Sequence, residues 1–177
     1  MRQKPKKAPK LPTRYHPAVV TLHWLTVILL LAAFSLAPEE EGGSGGISIF
    51  PHMILGGLLA LTLIARLVMR FAAPRPAKAS AGNGFFDLVG ELTHWGLYIL
   101  AFALLAGGAS IAMQRNLIGA LFGSGSIGPM GFSAAALMHG AAWSLITLLL
   151  LLHIGAALYH QFYLKDNLLN RMWFGAR

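Results

Sequence analysis

The chain has no cysteine among its 177 residues. Disulfides, thiolate zinc sites, iron–sulfur clusters and thiol relays are excluded with it. Charge is almost as scarce, at 11% of residues, and only six residues are acidic. A soluble domain of this size needs more charge than that to cover its surface. With 56% hydrophobic residues, disorder is excluded as well. The few acids avoid the apolar runs: Asp87 and Glu91 sit near the start of one, Asp166 lies beyond the last, and Glu39, Glu40 and Glu41 stand between two. A proton or cation transporter usually needs a carboxylate near mid-membrane, and the sequence offers none.

Long uncharged stretches are what the sequence has in quantity. No charged residue occurs in 15–38, 42–65, 92–114 or 116–164. A helix that crosses the hydrocarbon needs about 20 apolar residues. The first stretch predicts a helix near 17–37. The second opens on Gly42, Gly43, Ser44, Gly45 and Gly46, a loop, which moves its helix to 49–71. The third predicts 88–113. The fourth is long enough for two spans, but Gly119, Gly123, Gly125, Gly128, Pro129 and Gly131 break its first part. That part reads as a loop and the final helix as 134–160. The expectation is an all-α integral membrane protein: a four-helix transmembrane bundle over 17–160, with a basic tail at 1–16 and a second tail at 161–177.

Basic residues orient the bundle. Arg2, Lys4, Lys6, Lys7, Lys10 and Arg14 precede the first span, Arg66, Arg70, Arg75 and Lys78 surround the second connection, and Lys165, Arg171 and Arg177 follow the last span. With four spans, thirteen of the fourteen cations fall on one side and only Arg115 on the other, so both termini are expected in the cytoplasm. The polybasic tail reads as an orientation signal that also holds anionic lipid, not as a nucleic-acid site. The first apolar run exceeds a signal-peptide core, and no A-x-A-like cleavage site follows it before Glu39.

Histidines are the polar residues inside the spans, and each needs a partner there. At a rise of about 1.5 Å per residue, His23 and His153 lie about 9 and 10 Å in from the cytoplasmic side, and His52 and His139 roughly 5–8 Å in from the other. Antiparallel helices therefore set His23 level with His153, and His52 level with His139. His139 and His153 are fourteen residues apart, four turns less about 40°, so they share a face about 21 Å apart along the axis. A neutral imidazole is a good axial ligand for iron, and two from facing helices can clamp a flat porphyrin. The spacing favours two stacked bis-histidine haems. Gly56, Gly57, Gly107, Gly108, Gly155, Ala156 and Ala157 make room for rings, or serve close helix packing.

The remaining groups carry less. His94 is level with His23 and His153, so depth leaves it open as a ligand, a second-sphere residue or a quinone contact with Tyr98. His160 is read as a propionate or quinone contact or as an interfacial residue, and His16 as interfacial. Arg66 and Arg70 are candidate propionate partners, though positive-inside anchoring explains them equally. Trp24, Trp95, Trp143 and Trp173 fit an aromatic belt.

The ordered set His23-Trp24-Leu25, His52 with Gly56 and Arg66, His94 with Tyr98, His139 and His153, His160, Lys165-Asp166-Asn167 and Arg171-Met172 resembles the bacterial cytochrome b561 family, over roughly Tyr15 to Trp173. The resemblance implies two haem b groups, with His23 and His153 on the cytoplasmic-side iron and His52 and His139 on the periplasmic-side one. It also implies an inner-membrane electron carrier working with ubiquinone, and one member type is a superoxide oxidase. Arg115 is the one cation expected outside to attract an anion, while Glu39, Glu40 and Glu41 oppose it. The rival readings are a haem-relay subunit of a separate dehydrogenase, a transition-metal transporter and a purely structural bundle.

Overall fold

A computed structural model of the chain describes residues 11–37, 49–129 and 132–175. The distal basic tail (Arg2 to Lys10), the glutamate run, the glycine loop 42–46 and Arg177 lie outside the described residues. Four helices are long and apolar enough to cross a membrane. Helix α1 spans Pro17–Ser35, with Pro17 in its first turn and the His16 side chain accepting from the Ala18 amide at 3.2 Å. A proline suits that first position because the amide it lacks has no helical partner there. Helix α2 spans Ile49–Ala72. Helix α3, Gly84–Gln114, starts earlier than the hydropathy suggests. Asn83 caps it through a bond from the Phe85 amide (2.8 Å), and Asp87 accepts from the Ala81 amide (2.7 Å) and the Ser80 hydroxyl (2.8 Å). These caps extend the helix past the uncharged window.

The glycine-rich stretch is not all loop. Leu117–Leu121 form a short helix, α4, after Asn116 turns the chain in the left-handed region (φ 52°). The Asn116 amide then donates to the Ser124 carbonyl at 3.2 Å, which closes the turn. Helix α5 spans Ala134–Leu158, capped by Ser133, and continues through a π-helical turn, Tyr159–Leu164. A four-residue helix, α6 (Leu168–Arg171), is the last element among the described residues.

The large side chains on the outside are apolar, among them Leu61, Val68, Ile99 and Leu151, as a surface facing lipid requires. The buried hydroxyls of Thr26, Thr62 and Thr93 each donate to the carbonyl one turn back, at 2.7–2.8 Å, so no hydroxyl is left unsatisfied in an apolar setting. Two small cores result. Leu29, Leu59 and Leu63 join α1 to α2, and Leu104, Ala142 and Ile146 join α3 to α5. The helices accordingly pack as two pairs, α1 with α2 and α3 with α5, and the main contact between the pairs is a slighter one of α2 on α3. A seam runs between the pairs.

Candidate haem sites

The histidines meet across that seam. His52 on α2 faces His139 on α5, with ring centres 6.1 Å apart and planes at 73°. His23 on α1 faces His153 on α5, at 6.4 Å and 62°. Each pairing takes one ring from either side of the seam. A metal–imidazole bond is about 2 Å long and a ring centre lies about 1 Å behind its nitrogen, so two imidazoles sharing one metal stand roughly 6 Å apart. Both pairings have the spacing that a shared iron requires.

The His52–His139 pair has its nitrogens sorted. His52 Nδ1 donates to the Ala33 carbonyl at 2.7 Å. That carbonyl lies in the last turn of α1, where intrahelical donors run out. His139 Nδ1 donates to the Leu104 carbonyl at 2.8 Å. Both bonds place the ring proton on Nδ1 and leave the Nε2 lone pair for a metal. Glycine makes the second bond reachable. A Cβ on Gly107 would stand 3.1 Å from the His139 backbone nitrogen, and one on Gly108 3.4 Å from its Nδ1. These two glycines seat His139 and do not clear space for a porphyrin. Gly56, one turn beyond His52, behaves differently: it is only partly exposed, yet nothing lies within 4 Å of where its Cβ would stand. Gly57 and Gly155 also have open space but lie on exposed faces.

The level of His23 and His153 holds three histidines. His94 on α3 is 5.1 Å from His153, with planes at 85°. Its Nδ1 donates to the Gly90 carbonyl of its own helix at 2.7 Å. That spacing is short for a shared iron, and both rings belong to the same side of the seam. His23 Nδ1 instead accepts from Arg66 Nη2 at 3.2 Å. The Arg66 guanidinium lies 5.7 Å from the Tyr98 ring centre, and Arg70 lies 4.6 Å from that of Trp95 and 5.7 Å from that of Tyr98. Arg70 Nε is buried with no acceptor among the described residues, a donor suited to an anionic group such as a porphyrin carboxylate.

Beyond the level of His153, the π-helical turn carries His160 near its start. His160 Nδ1 pairs with Asp166 Oδ2 at 2.7 Å, and Asp166 Oδ1 caps α6 through the Leu168 amide at 3.0 Å. Lys165 and Asn167 in the left-handed region (φ 56° and 58°) fold the chain back to close this contact. The segment after it is pinned over the same end of the bundle. Arg14 donates to the Phe174 carbonyl (2.9 Å), Trp24 to Met172 (3.0 Å) and Arg171 to Ala77 (2.8 Å). On the opposite half, Trp143 stacks on Phe34 at 4.5 Å. The tryptophans therefore have particular partners. Among the described residues no group of three or more His, Asp or Glu side chains is placed to hold a metal ion.

Comparison with known proteins agrees with this architecture. The prokaryotic cytochrome b561 family matches residues 14–175. The chain belongs to that family. Cytochrome b561 homolog 2 of Escherichia coli is 29% identical over 184 residues, covering 91% of this chain and 92% of that protein. Cytochrome b562 of Cereibacter sphaeroides is 29% identical over 163 residues, covering 86% and 90%. No solved structure matches. Membership of the cytochrome b561 family makes the chain a multi-pass bacterial membrane protein of haem b electron transfer.

Proposed function

We propose that the protein is a di-haem b cytochrome of the inner membrane, with both termini cytoplasmic, that takes electrons singly at the periplasmic face and delivers them to ubiquinone. His52 and His139 hold the outer iron, and His23 and His153 the inner one. The observation that carries this reading is the pair of cross-seam contacts, 6.1 and 6.4 Å between ring centres, at two heights on α5. Haem b would supply the one-electron couple, and histidine-only ligation by these residues would favour outer-sphere transfer over oxygen insertion.

The chain's own residues supply the rest. Ala33 and Leu104 carbonyls fix the outer imidazoles in the ligating tautomer. Leu29, Leu59, Leu63, Leu104 and Ile146 fill the interior and keep it dry. Arg70 offers its unpaired Nε–H to a carboxylate at the cytoplasmic level. Quinone reduction needs two electrons and two protons. His160, oriented by Asp166, is placed to pass protons to a quinone oxygen there, and His94 stands beside the inner pair as a support and not a ligand.

Superoxide is the proposed donor: it loses one electron and leaves as dioxygen. Rapid mixing of the purified oxidised protein with superoxide should produce the reduced haem spectrum within the dead time to seconds. Reduction by dithionite but not by superoxide would leave the relay-subunit reading, which the run Glu39, Glu40 and Glu41 between the first two spans favours by repelling an anion.

A further inference from the structure

The connection from α3 to α5 is unlike the opposite end of the bundle. That opposite end is ringed with charge, from Arg14 and Lys78 to Asp166 and Arg171, whereas no residue in 116–133 is charged. Four large apolar side chains of the connection stand clear of the protein: Ile118 is 50% exposed, Ile127 44%, Phe122 80% and Phe132 88%. The exposed apolar surface of α3, which faces lipid, reaches Met113 in the last turn and resumes at Ile118. Leu117, by contrast, is buried where α4 packs on α3. Ile118 and Phe122, four residues apart, fall on one side of that helix and its cap.

The backbone there asks little of water. The amides of Ala120, Phe122, Gly123 and Ser124 all reach carbonyls within 116–120 at 2.8–3.3 Å, and the Gly128 amide reaches that of Arg115 at 2.9 Å. The Asn116 side chain adds bonds to the Ser124 and Ser126 carbonyls at 3.2 and 3.5 Å. Gly119 and Gly125 permit this fold: a Cβ on the first would stand 2.7 Å from the Ser124 oxygen, and one on the second, at φ 82°, 2.6 Å from Asn116 Nδ2. Paired amides lower the cost of entering a less polar medium, and bare phenylalanine and isoleucine gain by it. At roughly 150–250 Å² for a whole aromatic side chain, the four groups offer on the order of 500 Å². A specific protein partner takes about 800 Å² from each side, whereas a lipid surface has no such minimum.

We propose that α4 and the turn after it (116–129), together with Phe132, form an interfacial foot that lies along the membrane at the end of the bundle opposite His160, with Ile118, Phe122, Ile127 and Phe132 set among the lipid headgroups. The partner is the lipid surface itself, and the proposal stands whether or not the haem ligands are those assigned above. Phe132 stands two residues before α5 and His139 lies in that helix's second turn, so the foot also fixes how deep the His52–His139 level sits. The cysteine-free sequence allows a direct test with a nitroxide on single cysteines of the purified full chain in lipid nanodiscs. Power-saturation electron paramagnetic resonance compares access to oxygen, which concentrates in lipid, with access to a water-soluble nickel chelate. Phe122→Cys and Ile118→Cys should show an oxygen-to-chelate ratio about threefold or more above that of Ser80→Cys at the charged end. A ratio at Phe122→Cys equal to that at Ser80→Cys overturns the proposal. Exclusion of both probes, with the labelled chain running at twice its size, assigns the surface to a second copy and overturns it equally. A helical circular dichroism spectrum like the wild type's certifies each variant as folded; should Phe122→Cys fail that check, Phe132→Cys, outside α4, is read by the same criteria.

Discussion

At the scale of the residue, the account turns on which atom each imidazole uses and what holds the other. His139 is fixed by one carbonyl and two glycines, so His139→Ala should lower the haem count from two per chain to one and spare the inner site, as read by a pyridine haemochrome assay. Gly108→Val should act similarly while leaving the histidine in place, since the added carbons stand where Nδ1 reaches Leu104. At the far end, Asp166→Asn removes the carboxylate that orients His160. Quinone reduction should then drop about 10- to 100-fold with both haem spectra unchanged; an unaltered rate would take His160 out of the proton path. The levels of the histidines are readable from spacing, because depth in antiparallel helices follows from residue number, but spacing does not choose between His23 and His94 as the partner of His153. Their Nδ1 partners were not. Ala33 and Leu104 are carbonyls in apolar helices, and no side-chain pattern marks them; nor does anything in the sequence set Arg66 against His23 rather than against lipid headgroups.

At the scale of the element, small residues do two different jobs that look the same in sequence. Gly107 lets α5 approach α3 so closely that any side chain meets the His139 backbone. Gly107→Leu should therefore strain the α3–α5 pair by about 1–3 kcal/mol, visible as a lower melting temperature even without haem. Gly56 faces open space on the His52 side of α2. Gly56→Leu should leave the haem-free protein as stable as before and yet block uptake at the outer site. Equal effects of both substitutions on the haem-free protein would mean that the space at Gly56 is ordinary packing. Helix limits show the same division between legible and hidden. The starts of α1, α2 and α5 follow from charge-free runs and loop glycines. The four added residues of α3 depend on Asn83 and Asp87 as caps, and α4 on a left-handed Asn116, both local hydrogen-bond effects beneath the resolution of hydropathy.

At the scale of the whole molecule, two helix pairs meet across a lightly packed seam, and both histidine pairs bridge it. Cofactor binding should therefore tie the halves together. Protein made under blocked haem synthesis should melt well below the holoprotein, since a ligand at 1,000 times its dissociation constant adds about 4 kcal/mol. The cysteine-free sequence also allows the orientation to be checked directly: Ser80→Cys should label only from the cytoplasmic side and Ser124→Cys only from the other. The number of helices and the equal heights of the rings could be anticipated from the chain, whereas the seam could not, because it reflects which apolar faces choose each other. The most direct test is a haem count on the purified, detergent-solubilised protein and its four single variants. The account predicts two b haems per chain, the inner one lost in His23→Ala and His153→Ala and the outer one in His52→Ala and His139→Ala. Loss of a haem in His94→Ala with both retained in His23→Ala would contradict it.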